Sequence, residues 1–132
     1  MSDQLLILLL IFGGITIGGF VVKQLARRKR ATLIESLQLE PDADGQPRIL
    51  SFFGPSCDAC ERQNEVFADL ELSRAGTFSL DQRDATVDYE YARQFGLMVV
   101  PTTIVIAANG SIAAINTGFT AQSRLEAQLD AA

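Results

Sequence analysis

The chain has 132 residues, 48% of them hydrophobic, with two cysteines and no histidine. That length supplies one small globular domain and some additional chain, and two cysteines are too few for a disulfide-stapled scaffold, so the fold rests on an apolar core. Charge is unevenly placed: Lys23, Arg27, Arg28, Lys29 and Arg30 form one basic block, while from Ala31 onward six basic residues stand against fifteen acidic ones, which argues against nucleic-acid binding by the globular part.

Residues 1–4 read as a short tail. Leu5 to Val22 is a run of 18 uncharged, mostly apolar residues, about 27 Å long as a helix and close to the thickness of a bilayer core. A cleaved signal peptide carries basic residues before its apolar run and a small-x-small site after it. This chain has neither, so residues 5–22 are expected to be an uncleaved single-pass transmembrane helix, the alternative being a buried core helix. The basic block lies on the carboxyl side of the anchor, and such flanks tend to stay in the cytoplasm. The expected location is therefore the cell membrane with the globular domain on the cytoplasmic side, the extracytoplasmic side being the alternative. Gly14 and Gly18 form a small-x-x-x-small pair through which two anchors could pack as a homodimer. Residues 23–47 are expected to form a juxtamembrane helix, from Gln24 to about Leu39 with its basic start near lipid head groups, and then a linker, "EPDADGQP", Glu40 to Pro47.

The globular domain is expected to span residues 48–132. Arg48 to Phe53 is a short apolar run bounded by proline and glycine, which suits a buried strand. From Cys57 to Leu72, Ala59, Val66, Phe67 and Leu70 recur at helical spacing. Thr77 to Asp81 predicts a second strand and Val87 to Gly96 a helix ending at the glycine. The strand–helix–strand–helix order implies parallel pairing. Thr102 to Ala107 and Ser111 to Asn116 are β-rich runs joined through Asn109-Gly110, a strong hairpin signal. Thr120 is expected to cap a last helix that buries Leu125 and Leu129. Tyr89, Tyr91 and Phe95 read as packing residues.

The only cysteines, Cys57 and Cys60, open the first helix of the domain. A zinc or iron–sulfur site needs about four soft ligands, so one chain lacks two of them, and no metal is expected. A Cys-His hydrolase has no base here, and a disulfide closing so short a loop constrains the unfolded chain very little. Reversible redox chemistry remains. Cys57 at the helix amino end lies where free backbone N–H groups and the helix dipole stabilise a thiolate, and Cys60, one turn further in, is placed to resolve a mixed disulfide. Asp58 and Glu61 put negative charge beside the pair, disfavour the thiolate and tune the couple toward a reductant. Arg62 is close enough to affect the thiolate but is given no role.

"SFFGPSCDAC", the segment "GLMVVPTT" around Pro101, and the Asn109-Gly110 and Thr117-Gly118 pairs resemble the thioredoxin family from about Arg48 to the end of the chain. The resemblance implies an α/β thioredoxin fold: a mixed four-stranded sheet with helices on both faces, here preceded by one transmembrane helix. It also implies a cis Pro101 beside the cysteines, with Val100, Pro101 and Gly118 on the substrate-binding side. The departures are Ser56 where the family often has tryptophan, Asp58-Ala59 in place of Gly-Pro between the cysteines, and Ser51 and Ser79 at the positions matched to a buried aspartate and lysine that move the second cysteine's proton. The expected function is a membrane-anchored protein dithiol–disulfide oxidoreductase acting on protein disulfides near the bilayer, with no cofactor and an electron donor that the sequence does not name. The alternative is a redox-sensitive binding or assembly module for a membrane partner.

Overall fold

The computed structural model describes residues 2–35, 37–97 and 99–132, the side chains of Ser2, Arg27 and residues 29–35 excepted. The chain divides into two compact units, Met1–Leu33 and Ile34–Ala132.

The first unit belongs to a single unbroken helix, α1, Ser2–Glu35. Asp3–Ala26 within it is a 24-residue stretch long and apolar enough to cross a membrane, with none of its most apolar window buried by protein. Leu10, Phe12 and Ile15 on it are exposed. Gly14 and Gly18 lie on it with open space around their Cα atoms.

In the second unit, the apolar run after Pro47 forms β1, Arg48–Phe53, its four central residues buried. The pair motif then opens α2, Asp58–Ser73. The next strand, β2, is Ser79–Asp84, two to three residues later than the sequence predicts. Thr77 instead closes the turn after α2, its N–H and hydroxyl both donating to the Arg74 carbonyl, at 3.2 and 2.8 Å. Helix α3 is only Tyr89–Gln94, because Val87 and Asp88 spend their N–H groups on the Asp84 carbonyl. It stops where expected, with Gly96 at φ +64°. Strands β3, Thr102–Ile106, and β4, Ile112–Thr117, form the hairpin, with the Asn109 side-chain oxygen accepting from the N–H and hydroxyl of Ser111.

Helix α4, Gln122–Ala131, buries Leu125 and Leu129. Thr120 does not cap it: Ala121 stands at the cap without a side-chain bond, and the Thr120 hydroxyl donates back to the Gly118 carbonyl at 3.3 Å. The backbone of Thr120 is committed elsewhere, as described below.

The sheet order is β2-β1-β3-β4, with β1 and β2 parallel and the other pairs antiparallel. Because side chains alternate along a strand, β1 feeds two cores. Ile49 packs with Phe67, Leu70, Val105, Leu125 and Leu129 under α2 and α4. Leu50 and Phe52 pack with Ala92, Phe95, Ile104 and Ile106 on the face that carries α3. Phe52, Tyr91 and Phe95 form a ring cluster there, with centroids 5.3 to 6.0 Å apart.

The segment expected to be helix and linker also takes part. Leu37 and Leu39 are not helical and pack against the α3-side core, and the Leu39 N–H donates to the Gly110 carbonyl at 3.0 Å. Burying two leucines and pairing a backbone group outweighs continuing a solvent-exposed helix.

Candidate active site

Every residue of the site comes from the end of the sheet where β1 finishes and β3 begins. Gly54 and Pro55 follow β1, and Gly54 has no Cβ for a physical reason: one there would meet a Val100 methyl at 3.1 Å. Ser56 then adopts φ +52°, a left-handed conformation that costs a non-glycine residue on the order of 1 kcal/mol or more. This turn delivers Cys57 to the N-cap of α2, as the sequence predicts.

Cys57 and Cys60 are joined by a disulfide, with Cα atoms 5.2 Å apart. Cys57 is half-buried and Cys60 is 5% exposed, so an incoming chain meets the first sulfur before the second. The backbone N–H of Cys60 points at the Cys57 sulfur at 3.2 Å, and the Cys57 carbonyl accepts from the N–H groups of Cys60 and Glu61. The Cys60 amide, shared between the Cys57 carbonyl and sulfur at the positive end of the helix dipole, thereby favours negative charge on that sulfur after reduction. Asp58 and Glu61 stand in the first turn with exposed side chains.

Opposite the disulfide is the start of β3. The Val100–Pro101 peptide is cis and Pro101 is buried. The Val100 carbonyl oxygen lies 3.9 Å from the Cys57 sulfur. Gly118, at φ +83°, donates its N–H to the Pro101 carbonyl at 2.8 Å, which draws the loop after β4 against the same end of the sheet. Val100 thus lies beside Cys57, and Gly118 is tied to the adjoining Pro101. Met98, in the same segment, lies outside the described residues. On the α3 side, Gly54, Pro55, Val99, Val100, Leu97 and Tyr89 line an open, mainly apolar groove of about 270 Å³.

The expected relation between Ser51 and Ser79 is corrected by the register. Ser51 is opposite Gln82 in the parallel pair and opposite Thr103 in the antiparallel one, whereas Ser79 is opposite Arg48. Arg48 and Ser51 are three positions apart, so alternation puts Ser79 on the other face of the sheet, where its hydroxyl donates to Asp42 at 3.2 Å. The place across from buried Ser51 is held by Gln82, whose amide bonds Asn64 of α2 at 2.7 Å. The polar β2 carries no alternation strong enough to reveal its register against the apolar β1 from sequence.

Two site residues were not singled out by sequence reasoning. Phe119, 44% exposed, carries the Arg62 guanidinium 5.2 Å from its ring centroid, giving Arg62 a structural partner beside the cysteines. Gln63 is 1% exposed. A polar residue on the otherwise apolar buried stripe of α2, three positions after Cys60, was the available signal.

No protein-family model matches the chain, and no curated protein does. Solved structures do. One, described as the structure of a malarial protein, is 24% identical with a TM-score of 0.61, covering 65% of this chain and 96% of the other. Another, thioredoxin-2, a component of malaria parasite protein secretion machinery, is also 24% identical, with a TM-score of 0.62 and coverage of 66% and 84%. With the sheet order and the position of the Cys-x-x-Cys pair, these likenesses establish the architecture: the second unit has the thioredoxin fold.

Proposed function

We propose that this protein is a membrane-anchored thiol–disulfide oxidoreductase that reduces protein disulfides near the bilayer. The observation that carries this reading is the half-buried Cys57 sulfur at the start of α2, bonded to a buried Cys60 and adjacent to the Val100 carbonyl. In the reduced protein, Cys57 loses its proton to solvent and its thiolate attacks one sulfur of a substrate disulfide. A Cys57–substrate disulfide forms and the other substrate sulfur leaves as a thiolate that takes a proton. Cys60, deprotonated in turn, attacks the Cys57 sulfur, forms the intramolecular disulfide and releases the second substrate thiol. Two electrons and two protons pass to the substrate, and a dithiol donor of another protein returns the pair to the reduced state. Val100, Pro101 and Gly118 supply the backbone against which an extended substrate segment seats. The apolar helix α1 supports anchoring, the basic block after it supports a cytoplasmic domain, and Gly14 and Gly18 provide the face for pairing of two anchors.

The test is a Cys60→Ser variant of the full chain. It should stall as a mixed disulfide with its substrate, released by dithiothreitol, while wild type turns over insulin disulfides and Cys57→Ser does neither. Absence of turnover by wild type, with Cys60→Ser keeping its cellular role, would instead identify a binding or assembly module.

A further inference from the structure

Gln63 is a fully buried amide in the middle of the α2 face that packs on the sheet. Burying an amide is unfavourable unless its polar atoms are paired, and both ends of this one are. Its Nε2 donates to the Thr120 carbonyl at 3.1 Å, and its Oε1 accepts from the Thr120 N–H at 2.7 Å. The side chain therefore acts as one rung of a β-ladder, made to a residue 57 positions away. An apolar residue of the same length would fill the space, so what the amide adds is the placement of the Thr120 backbone.

That backbone belongs to the loop beside the cysteines. Gly118 is fixed to Pro101 at one end, Thr120 to Gln63 at the other, and Phe119 is held out between them beneath Arg62. Gln63 lies three residues past Cys60, one helical turn along the same helix. The two attachments consequently set the loop against the cis-proline segment and against the cysteine helix together.

We infer that Gln63 is a substrate-positioning residue, which fixes the Gly118–Thr120 loop as one wall of the cleft that receives a protein substrate. The inference rests on the proposed exchange with protein disulfides. Gln63 touches neither sulfur-directed amide nor the Val100 carbonyl, so it acts on how a polypeptide seats and leaves the sulfur exchange itself alone. A disulfide too small to reach the loop should not register its loss.

The experiment compares full-length wild type in detergent with Gln63→Met, which keeps length and burial but leaves Thr120 unpaired, and Gln63→Glu, which keeps the acceptor for the Thr120 N–H. Insulin and a small aromatic disulfide are reduced in parallel with dithiothreitol as donor, and exchange of the Thr120 amide is followed by NMR. In Gln63→Met the KM for insulin should rise about tenfold, with kcat and the small-disulfide rate within about twofold of wild type and faster Thr120 exchange. Gln63→Glu should fall between the two. An unchanged KM for insulin in Gln63→Met, or equal losses on both disulfides, overturns the inference while leaving the proposed function intact. Should Gln63→Met fail to fold, Gln63→Glu decides alone, an unchanged KM overturning it. No reduction of insulin by wild type overturns the functional reading, and this inference falls with it.

Discussion

At the scale of single residues, charge around the first cysteine is the lever on its chemistry. Amides at the start of α2 favour a thiolate on Cys57, while Asp58 and Glu61, both exposed in the first turn, oppose it. Replacing them together, Asp58→Asn with Glu61→Gln, should stabilise the reduced form and raise the potential on the order of 10–20 mV, less at high salt because exposed charges are screened. A glutathione redox titration measures this, and an unchanged or lowered potential would show that these acids do not tune the pair. Asp84 offers a second test. Hydrogen bonds from the Thr86 hydroxyl and N–H, at 2.6 and 2.8 Å, hold its carboxyl below the usual range. A folded value below the unfolded one contributes stability above the ordinary carboxylate range, lost as pH falls through the lowered value. Asp84→Ala should thus be less stable than wild type at pH 7, and the gap should narrow from about pH 4 downward. Urea midpoints across that range decide it, and a gap independent of pH would contradict the assignment.

At the scale of elements, the segment before β1 is held by the β3–β4 turn. Gly110 has φ +86°, and a Cβ there would run into the carbonyl oxygen of Leu39. Gly76, at φ +74°, has open space around it. Both should resist alanine through backbone conformation alone, by about 1 kcal/mol. Gly110→Ala must also displace Leu39 and its partly buried neighbours, so it should cost at least about 2 kcal/mol. Thermal unfolding of the two variants separates the terms, and equal losses would mean the Leu39 contact contributes little. The same elements show where periodicity speaks and where it is silent. Phe67 and Leu70 in α2 and Leu125 and Leu129 in α4 fall at the spacing that sequence reveals, and all four are buried. The start of β2 was misplaced because its six residues carry no alternation strong enough to mark an edge, and pairing with β1 sets their register.

At the scale of the whole molecule, the chain combines an apolar helix with a separate thioredoxin-fold unit. The turn that holds Leu39 lies at the far end of β3 from Pro101, about five residues of strand or roughly 17 Å away. Leu39, early in this unit, is therefore held at the pole opposite the disulfide. The proposed cytoplasmic side rests on the basic block alone. A membrane-impermeant thiol reagent applied to intact cells, after mild reduction, should leave Cys57 unlabelled until the membrane is permeabilised. Labelling beforehand would put the domain on the extracytoplasmic side.

The amino-acid sequence by itself determined the long apolar N-terminal helix, the pair of sulfurs at a helix start, the hairpin at Asn109-Gly110 and the helix faces that are buried, since each is written in neighbouring residues or in a short period. Tertiary structure decided what no local pattern encodes. It placed Gln82 and not Ser79 across from Ser51, drew Leu37 and Leu39 into the core, and clamped Thr120 to Gln63. Each of these depends on which distant backbone groups pair, and strand register and loop closure fix that pairing only when the whole sheet is assembled.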